Sequence, residues 1–333
     1  MPTELMIPTR MSWPCNWHEI FDRDGPLLLE IGFGNGQFLV NLASRQPEAG
    51  VIGVEISSPS IKKALNLIEE SGIDNVRIIR AQGHLALWTL FEVGLIQGVY
   101  INFPDPWPKA KHHKRRLINH KFLHLLATRM ARGAFIDIAT DHRDYALWIT
   151  EELERSSYFS SRLSFPYVHK EPNRKPTKYE LKALTGNSKC YFFKWQRNQV
   201  SAPNSFLIPK EFPMPHVIMD MEISINTIAE NLVPFKRHDG DVTVRIVEIF
   251  RSVRSNTILC DTIILELPLE QRIMVGLSRR ERGDLIIQLH GTGQPRPTAG
   301  VQMAIRFIAE EIRKLDPESS IIRHNLGEWS SID

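Results

Sequence analysis

Four acidic or amide side chains and one basic run are the groups in this sequence best placed to do chemistry. Asp105 lies in FPDPW, residues 103–107, with a proline on each side. Pro104, Pro106 and Pro108 fix φ and remove backbone donors, so the loop that holds Asp105 has little conformational entropy to lose. A carboxylate on such a loop can bond the N–H edge of a base or offset a positive charge that develops during reaction. Downstream stand Lys109, Lys111, His112, His113, Lys114, Arg115 and Arg116, with no acid among them. A basic run is usually a solvated face. Beside a reacting centre it suits a polyanion, because phosphate contacts position a substrate without reading its sequence. Trp107 can serve as a packing anchor or as a face for a base.

Glu30 and Glu55 close two apolar runs, PLLLEIG (26–32) and GVIGVEI (50–56). Gly32, Gly34 and Gly36 follow Glu30 in LEIGFGNGQF. Glycines at alternate positions allow a tight turn and let backbone approach a ligand closely. Glu55, at the end of the next run, can accept both hydroxyls of a ribose. Alone, the glycines also fit an ordinary strand-to-helix turn. The spacing is ExGxGxG, not the GxGxxG that cradles a pyrophosphate, so an NAD enzyme is the weaker reading. The next run, NVRIIRAQ (75–82), ends on Gln82, whose carbonyl can accept from an amine.

These residues need a frame that gathers run ends at one place, and the first 160 residues supply its pattern. Apolar runs at 26–32, 50–56, 75–82, 98–103 and 133–140 alternate with helical segments at 36–45, 58–71, 84–92, 119–131 and 143–156. Strands separated by helices mean βαβ units, and hence an α/β, doubly wound, mostly parallel sheet covered on both faces. Ligands of such sheets bind beyond the carboxyl ends of the strands. Two later strand-like pieces, around 163–168 and 190–196, suit an antiparallel edge. Residues 199–215 contain four prolines and no periodicity, so a linker is expected there. The expected domains are 1–198 and 216–333, the second a smaller α+β unit of consecutive strands closed by one amphipathic helix over 298–315.

The bulk numbers exclude several classes. Net charge is +3 over 333 residues, so attraction to nucleic acid must come from local patches. Cys15, Cys190 and Cys260 are isolated, which indicates neither structural zinc nor disulfides, and no metal site is expected. The N-terminus lacks a signal-peptide pattern, and no apolar run reaches the roughly 18 residues of a membrane span. A cytoplasmic protein without membrane association is the expectation.

LEIGFGNGQFL, NFPDPWPKAKHHKRR, ATDHRDY and RKPTKYE occur together and in this order. Over about residues 13–197 the chain resembles the bacterial tRNA (guanine-N7-)-methyltransferase family. The PDPW string with its basic tail is specific; the glycine loop is shared by many methyltransferases. The resemblance implies a Rossmann-like methyltransferase domain using S-adenosyl-L-methionine, here with a C-terminal extension. It implies that Glu30, Gly32, Gly34, Gly36, Glu55, Gln82 and Asp105 line the cofactor pocket, with Asp105 catalytic. Lys109, Asp141, Thr177, Lys178, Tyr179 and Glu180 are implied as contacts to the tRNA substrate, and residues 111–116 as contacts to RNA backbone. The implied target is guanine 46 of the tRNA variable loop.

Two departures stand out. Gln82 occupies a position where the family usually carries an acid, and His142 follows Asp141 in place of the more usual Trp or Asn. Asp141 also fits a helix cap, and Thr177 with Glu180 fits a capping box. Two other functions compete. In an amino-methyltransferase on adenine or cytosine, NFPDPW would act like an NPPY loop, but two residues separate Asn102 from Asp105. In a non-enzymatic RNA-binding scaffold, the cofactor pocket would be vestigial. Oligomeric state leaves no mark on the sequence.

Overall fold

The computed structural model describes residues 5–171, 180, 189–253, 255–291 and 295–327. Its first sheet is built from the apolar runs. β1 (Leu5–Met6), β2 (Leu27–Ile31), β3 (Gly50–Glu55), β4 (Val76–Arg80), β5 (Ile96–Asn102) and β6 (Met130–Thr140) run parallel. With β7 (Phe159–Ser161) and β8 (Tyr191–Arg197) the order is β1-β4-β3-β2-β5-β6-β8-β7. β8 is antiparallel to β6, and β7 to β8. Nearly every residue of β2 and β3 is buried, as helices on both faces require.

A short helix α1 (Trp17–Phe21) precedes β2. α2 (Gln37–Arg45) and α3 (Ser58–Ser71) bury Leu39, Ile61 and Ile68 against one face of the sheet. α4 (Gly83–Leu90), α5 (His120–Arg129) and α6 (Arg143–Arg155) bury Leu87, Leu123 and Ile149 against the other. β2 has β3 on one side and β5 on the other, so the strand order reverses between β2 and β5. At such a switch point the connections leave in opposite directions and a crevice opens. The glycine loop follows β2, and the PDPW loop follows β5.

The antiparallel edge differs in place from the expected piece at 163–168. The strand is Phe159–Ser161, and only Val168 makes a single bridge, to Phe192. Pro166 sits inside the expected piece and cannot donate to a ladder.

The chain divides into two units, Met1–Ile208 and Pro209–Asp333. The second is a seven-stranded antiparallel sheet ordered β10-β11-β12-β13-β14-β9-β15. Its strands are β9 (His216–Asp220), β10 (Lys236–Asp239), β11 (Val242–Arg251), β12 (Thr257–Glu266), β13 (Leu269–Arg279), β14 (Leu285–Leu289) and β15 (Ser320–His324). The long helix Ala299–Leu315 packs Val301, Ile305, Ile308 and Ile312 into the core with Val244, Ile264 and Ile273. A second helix, Ile225–Asn231, adds Ile225 and Ile228.

The proline-rich stretch 199–215 is shared out between the units. Trp88 Nε1 donates to the Leu207 carbonyl (2.8 Å), and the buried Arg129 guanidinium donates to Phe206 O (3.2 Å). Phe212 N–H donates to Pro297 O (2.8 Å) in the second unit, where Glu211 also pairs with Arg296. Prolines leave carbonyls without matching donors, and these side chains supply them. Among the described residues no helix is long and apolar enough to cross a membrane.

Candidate active site

The glycine loop owes its shape to three left-handed residues, Gly32, Gly34 and Gly36, at φ of +77°, +57° and +81°. A side chain added at Gly32 or Gly34 would meet nothing within 4 Å, because open space lies above both. One added at Gly36 would collide with Ala64 of α3, 2.6 Å away. Gly36 is thus a packing glycine that lets α2 and α3 close, whereas Gly32 and Gly34 floor a cavity.

Glu55 ties this floor to the next strand end. Its Oε2 accepts from Gly34 N–H (3.0 Å), and its Oε1 accepts from Ile56 N–H (2.8 Å) and Ser57 N–H (2.9 Å). The carboxylate is held in one orientation and keeps lone pairs for a ligand. Glu30 lies beneath the loop, 1% exposed, and its Oε1 accepts from Asn102 Nδ2 (2.8 Å). Gln82 is exposed at the N-cap of α4 and makes no side-chain capping bond there.

The PDPW loop is bounded by two non-glycine residues in the left-handed region, Phe103 (φ +52°) and Trp107 (φ +43°). Such conformations cost about 1–3 kcal/mol each and persist only where surroundings over-determine them. The determinant here is Arg116. It is 3% exposed; its Nε donates to Pro106 O (2.8 Å), and its guanidinium lies over the Tyr145 and Trp148 rings at 5.0 Å. Trp148 Nε1 in turn donates to Ile118 O (2.7 Å), and Ile118 N–H donates to the Tyr145 hydroxyl (3.3 Å). Burial pushes the Tyr145 hydroxyl up to about 12, so it stays protonated.

The basic run is therefore not uniform. It forms a 3-10 helix, Ala110–Arg115. Lys109, Lys111 and Lys114 are exposed, and Arg115 lies over the Trp107 ring at 5.0 Å. His112 packs near Trp107 and His113 against Trp148, both half-buried. Arg116, expected at the RNA backbone, is buried, with its guanidinium over two rings and its Nε on the Pro106 carbonyl.

A cleft of about 530 Å³ opens between the two loops, lined by Gly32, Gly34, Glu55, Gln82, Asn102, Asp105, Trp107 and Arg115. A smaller lobe of about 250 Å³ continues over Glu30 and Phe38, sharing Gly32, Gly34 and Asn102 with the first. Volumes of this order suit one small-molecule ligand. The structure thus gathers every expected pocket residue except Gly36 around these lobes. It leaves Asp141 exposed beyond the end of β6, outside their walls. The cap of α6 is His142, whose Nδ1 accepts from Tyr145 N–H (3.3 Å), so the capping role that Asp141 fits is taken. Glu180 is buried in a helix, while Thr177, Lys178 and Tyr179 lie outside the described residues. No group of three or more metal-ligating side chains occurs among the described residues.

Sequence reasoning missed the roles of Asn102 and Arg116. Asn102 carries a signal in hindsight, since it ends β5 directly before the FPDPW loop. Arg116 carries none, being one of two adjacent arginines in a basic run.

Comparison with known proteins adds to this geometry. A family model described as "Putative methyltransferase" matches residues 24–193. The tRNA (guanine-N(7)-)-methyltransferase of Halorhodospira halophila is 38% identical over 166 residues, half of this chain and 72% of that relative. The chain belongs to the tRNA (guanine-N7-)-methyltransferase family. The Thermus thermophilus relative of the same name is 41% identical, but the match spans only 46% of this chain and 50% of that protein. The Thermotoga maritima relative, at 29% identity, is matched over 93% of this chain and 96% of its own length, so that alignment runs through both units. For a methyltransferase with S-adenosyl-L-methionine as donor, the cleft fits. Open space lies over Gly32 and Gly34, the fixed Glu55 carboxylate at the end of β3 offers acceptors of the kind a ribose diol takes, and an amide follows the next strand.

Proposed function

We propose that this protein transfers a methyl group from S-adenosyl-L-methionine to N7 of a guanine in tRNA, by resemblance guanine 46 in the variable loop. The observation that carries this reading is the convergence of Asp105, Glu55 and Arg115 on one cleft at the switch point of the sheet. Residues 1–198 form the catalytic domain, and 216–333 an accessory domain. The place of work is the cytoplasm, where tRNA is.

S-adenosyl-L-methionine, when bound, supplies a methyl group already activated by its sulfonium. Glu55 would hold the ribose, Gln82 the adenine amine, and Gly32 and Gly34 would give the backbone approach. The buried Glu30 would face the cationic part of the ligand across the smaller lobe. Guanine N7 carries an in-plane lone pair and needs no deprotonation, so the protein's main task is alignment. The product base is cationic. Asp105 sits on a loop fixed at Phe103, Pro106 and Trp107, and its carboxylate would bond the base edge and offset that charge. Lys109, Asp141 and the segment 177–180 are proposed to hold the substrate, with Lys111 and Lys114 on phosphate.

Amino-methylation is less well supported, because two residues separate Asn102 from Asp105, which is not the spacing of an NPPY loop. The test is incubation with unmodified tRNA and labelled donor. Reduction followed by aniline should cut the product at a single guanine. Label on an exocyclic amine, or no cut, overturns the reading.

A further inference from the structure

The sheet face that carries α2 and α3 holds a second cavity, of about 410 Å³, away from the cleft walls. Its floor is one transverse row: Tyr100 of β5 pairs with Asp137 of β6, which pairs with Lys194 of β8. Phe135, two residues before Asp137, shares that face, and Gly98 beside it has no side chain to obstruct the ring. Tyr100 and Phe135 meet edge to face with centroids 5.3 Å apart. Arg162 and Leu163 form the rim.

Asp137 is the anomaly. It is 7% exposed, yet its Oδ1 is buried without a hydrogen-bond partner. Lys194 Nζ donates to the other oxygen (2.6 Å) and also pairs with Glu171. The half-exposed Arg162 stands 3.9 Å from Oδ1, beyond hydrogen-bond reach, with its guanidinium 6.0 Å from the Phe135 ring. Burial pushes the Asp137 carboxyl up, against the pull of Lys194. A buried acceptor left unpaired costs about 1–3 kcal/mol, which a ligand donor would recover.

We propose that this cavity binds a nucleoside monophosphate unit. A base would stack on the Phe135 ring with an edge toward Tyr100 and donate an N–H to Asp137 Oδ1, and the half-exposed Arg162 side chain, swung off the carboxylate to the rim, would meet its phosphate. Other ligand classes fit worse. A divalent cation prefers several free oxygens, but both carboxylates here already hold Lys194. A cationic peptide or amine would face Lys194 and Arg162. A purely apolar ligand would leave Oδ1 unpaired. Base–aromatic stacking is worth about 1–3 kcal/mol and tolerates any base, which suits two ring walls with one polar group. The row lies two residues below Asn102 on the same strand, roughly 7 Å from it along β5. A nucleotide there would be a near neighbour of one entering the cleft. That the nucleotide comes from the RNA substrate rests on the proposed function; the site itself does not.

The experiment is titration calorimetry of the four 5′-nucleoside monophosphates into full-length protein saturated with S-adenosylhomocysteine, so that the cleft is filled. At least one nucleotide should bind. Asp137→Asn, which leaves Lys194 its Glu171 partner, and Phe135→Leu should each weaken it tenfold or more at unchanged S-adenosylhomocysteine affinity. No binding by the parent protein, or equal binding by both variants, overturns the site. A tRNA arm separates the sources. A several-fold higher KM for tRNA in Asp137→Asn makes the occupant a residue of the substrate. An unchanged KM beside lost nucleotide binding makes it a free nucleotide. Absence of methyl transfer in the parent protein would sink the proposed function and leave the calorimetry standing.

Discussion

The two loops that face each other across the cleft solve the same problem by opposite means. The glycine loop after β2 removes side chains so that backbone and the Glu55 carboxylate form the surface. The loop after β5 presents side chains, and it accepts left-handed Phe103 and Trp107 to do so. The first needs no brace, because glycine adopts positive φ without strain. The second needs one, and Arg116 supplies it from below. A backbone surface suits the parts of a ligand that are held through the reaction without taking part in it. A braced carboxylate suits a charge that exists only during and after reaction. On the proposed function, the first loop carries cofactor affinity and the second turnover.

The sharpest way to break that assignment is Asp105→Ala. Removal of one preorganised electrostatic group typically lowers kcat by about 10²–10³. Cofactor affinity, measured by calorimetry, should change by less than about threefold, an energy smaller than one ordinary hydrogen bond. A near-normal kcat, or a loss confined to cofactor binding, would move Asp105 to the side of the glycine loop.

Within the glycine loop the contrast can be made finer. Gly34→Ala places a methyl in open space at φ +57°. It should cost about 1–2 kcal/mol of stability from left-handed strain alone and weaken cofactor binding by intruding on the cleft. Gly36→Ala adds a collision with Ala64 and should cost roughly 1–3 kcal/mol more. Thermal melts with and without S-adenosylhomocysteine separate the two. The larger loss of Tm belongs to Gly36→Ala, the larger loss of ligand-induced stabilisation to Gly34→Ala. Identical behaviour would mean that the loop acts as a unit.

The brace is tested by Arg116→Met, which keeps bulk between Tyr145 and Trp148 but leaves the Pro106 carbonyl without its donor. Loss of a hydrogen bond from a charged group costs about 1.5–3 kcal/mol. Turnover should fall with it, while the salt dependence of tRNA affinity stays that of the parent protein. Lys111→Ala and Lys114→Ala should do the reverse. They leave melting unchanged and each lower the salt slope by about one unit or less. A changed slope in Arg116→Met would return it to the phosphate-binding run.

That run shows where the sequence stops being informative. Apolar runs, their turn residues and the alternation of strands with helices predict β2 to β6 and their helices to within a few residues, because burial on both faces leaves a continuous signal. Gly32, Gly34, Glu55 and Asp105 are legible as neighbours of one cleft, because the loops beyond adjacent strand ends meet at the switch point. Arg116 is not, because a buried arginine and a solvated one have the same neighbours in sequence; only Tyr145 and Trp148, a helix away, distinguish them. The row of Tyr100, Asp137 and Lys194 depends on strand register, which two separate pairings set. β1 has only two residues and is too short to carry a pattern.

The smallest expected effect, Gln82→Asp, tests whether the glycine loop's side of the cleft has room to improve. Gln82 caps α4 by position but makes no capping bond, with φ −69° and ψ 139° already those of an N-cap. Asp is a preferred residue there, and its shorter side chain reaches the N–H groups of the first turn, a gain of roughly 0.5–1 kcal/mol in stability. Its second oxygen would remain toward the cleft, where a charged acceptor bonds an amine more strongly than a neutral one does. Both gains together predict a Tm raised by a few degrees and cofactor binding tightened several-fold. The two readouts divide the possible outcomes. A higher Tm with unchanged affinity would mean that the carboxylate serves the helix alone and that the ligand's amine does not reach position 82. Tighter binding with unchanged Tm would put the whole carboxylate on the ligand. Weaker binding would show the Gln82 amide N–H groups to be donors to the ligand, which no carboxylate could replace, and the adenine would have to lie the other way round.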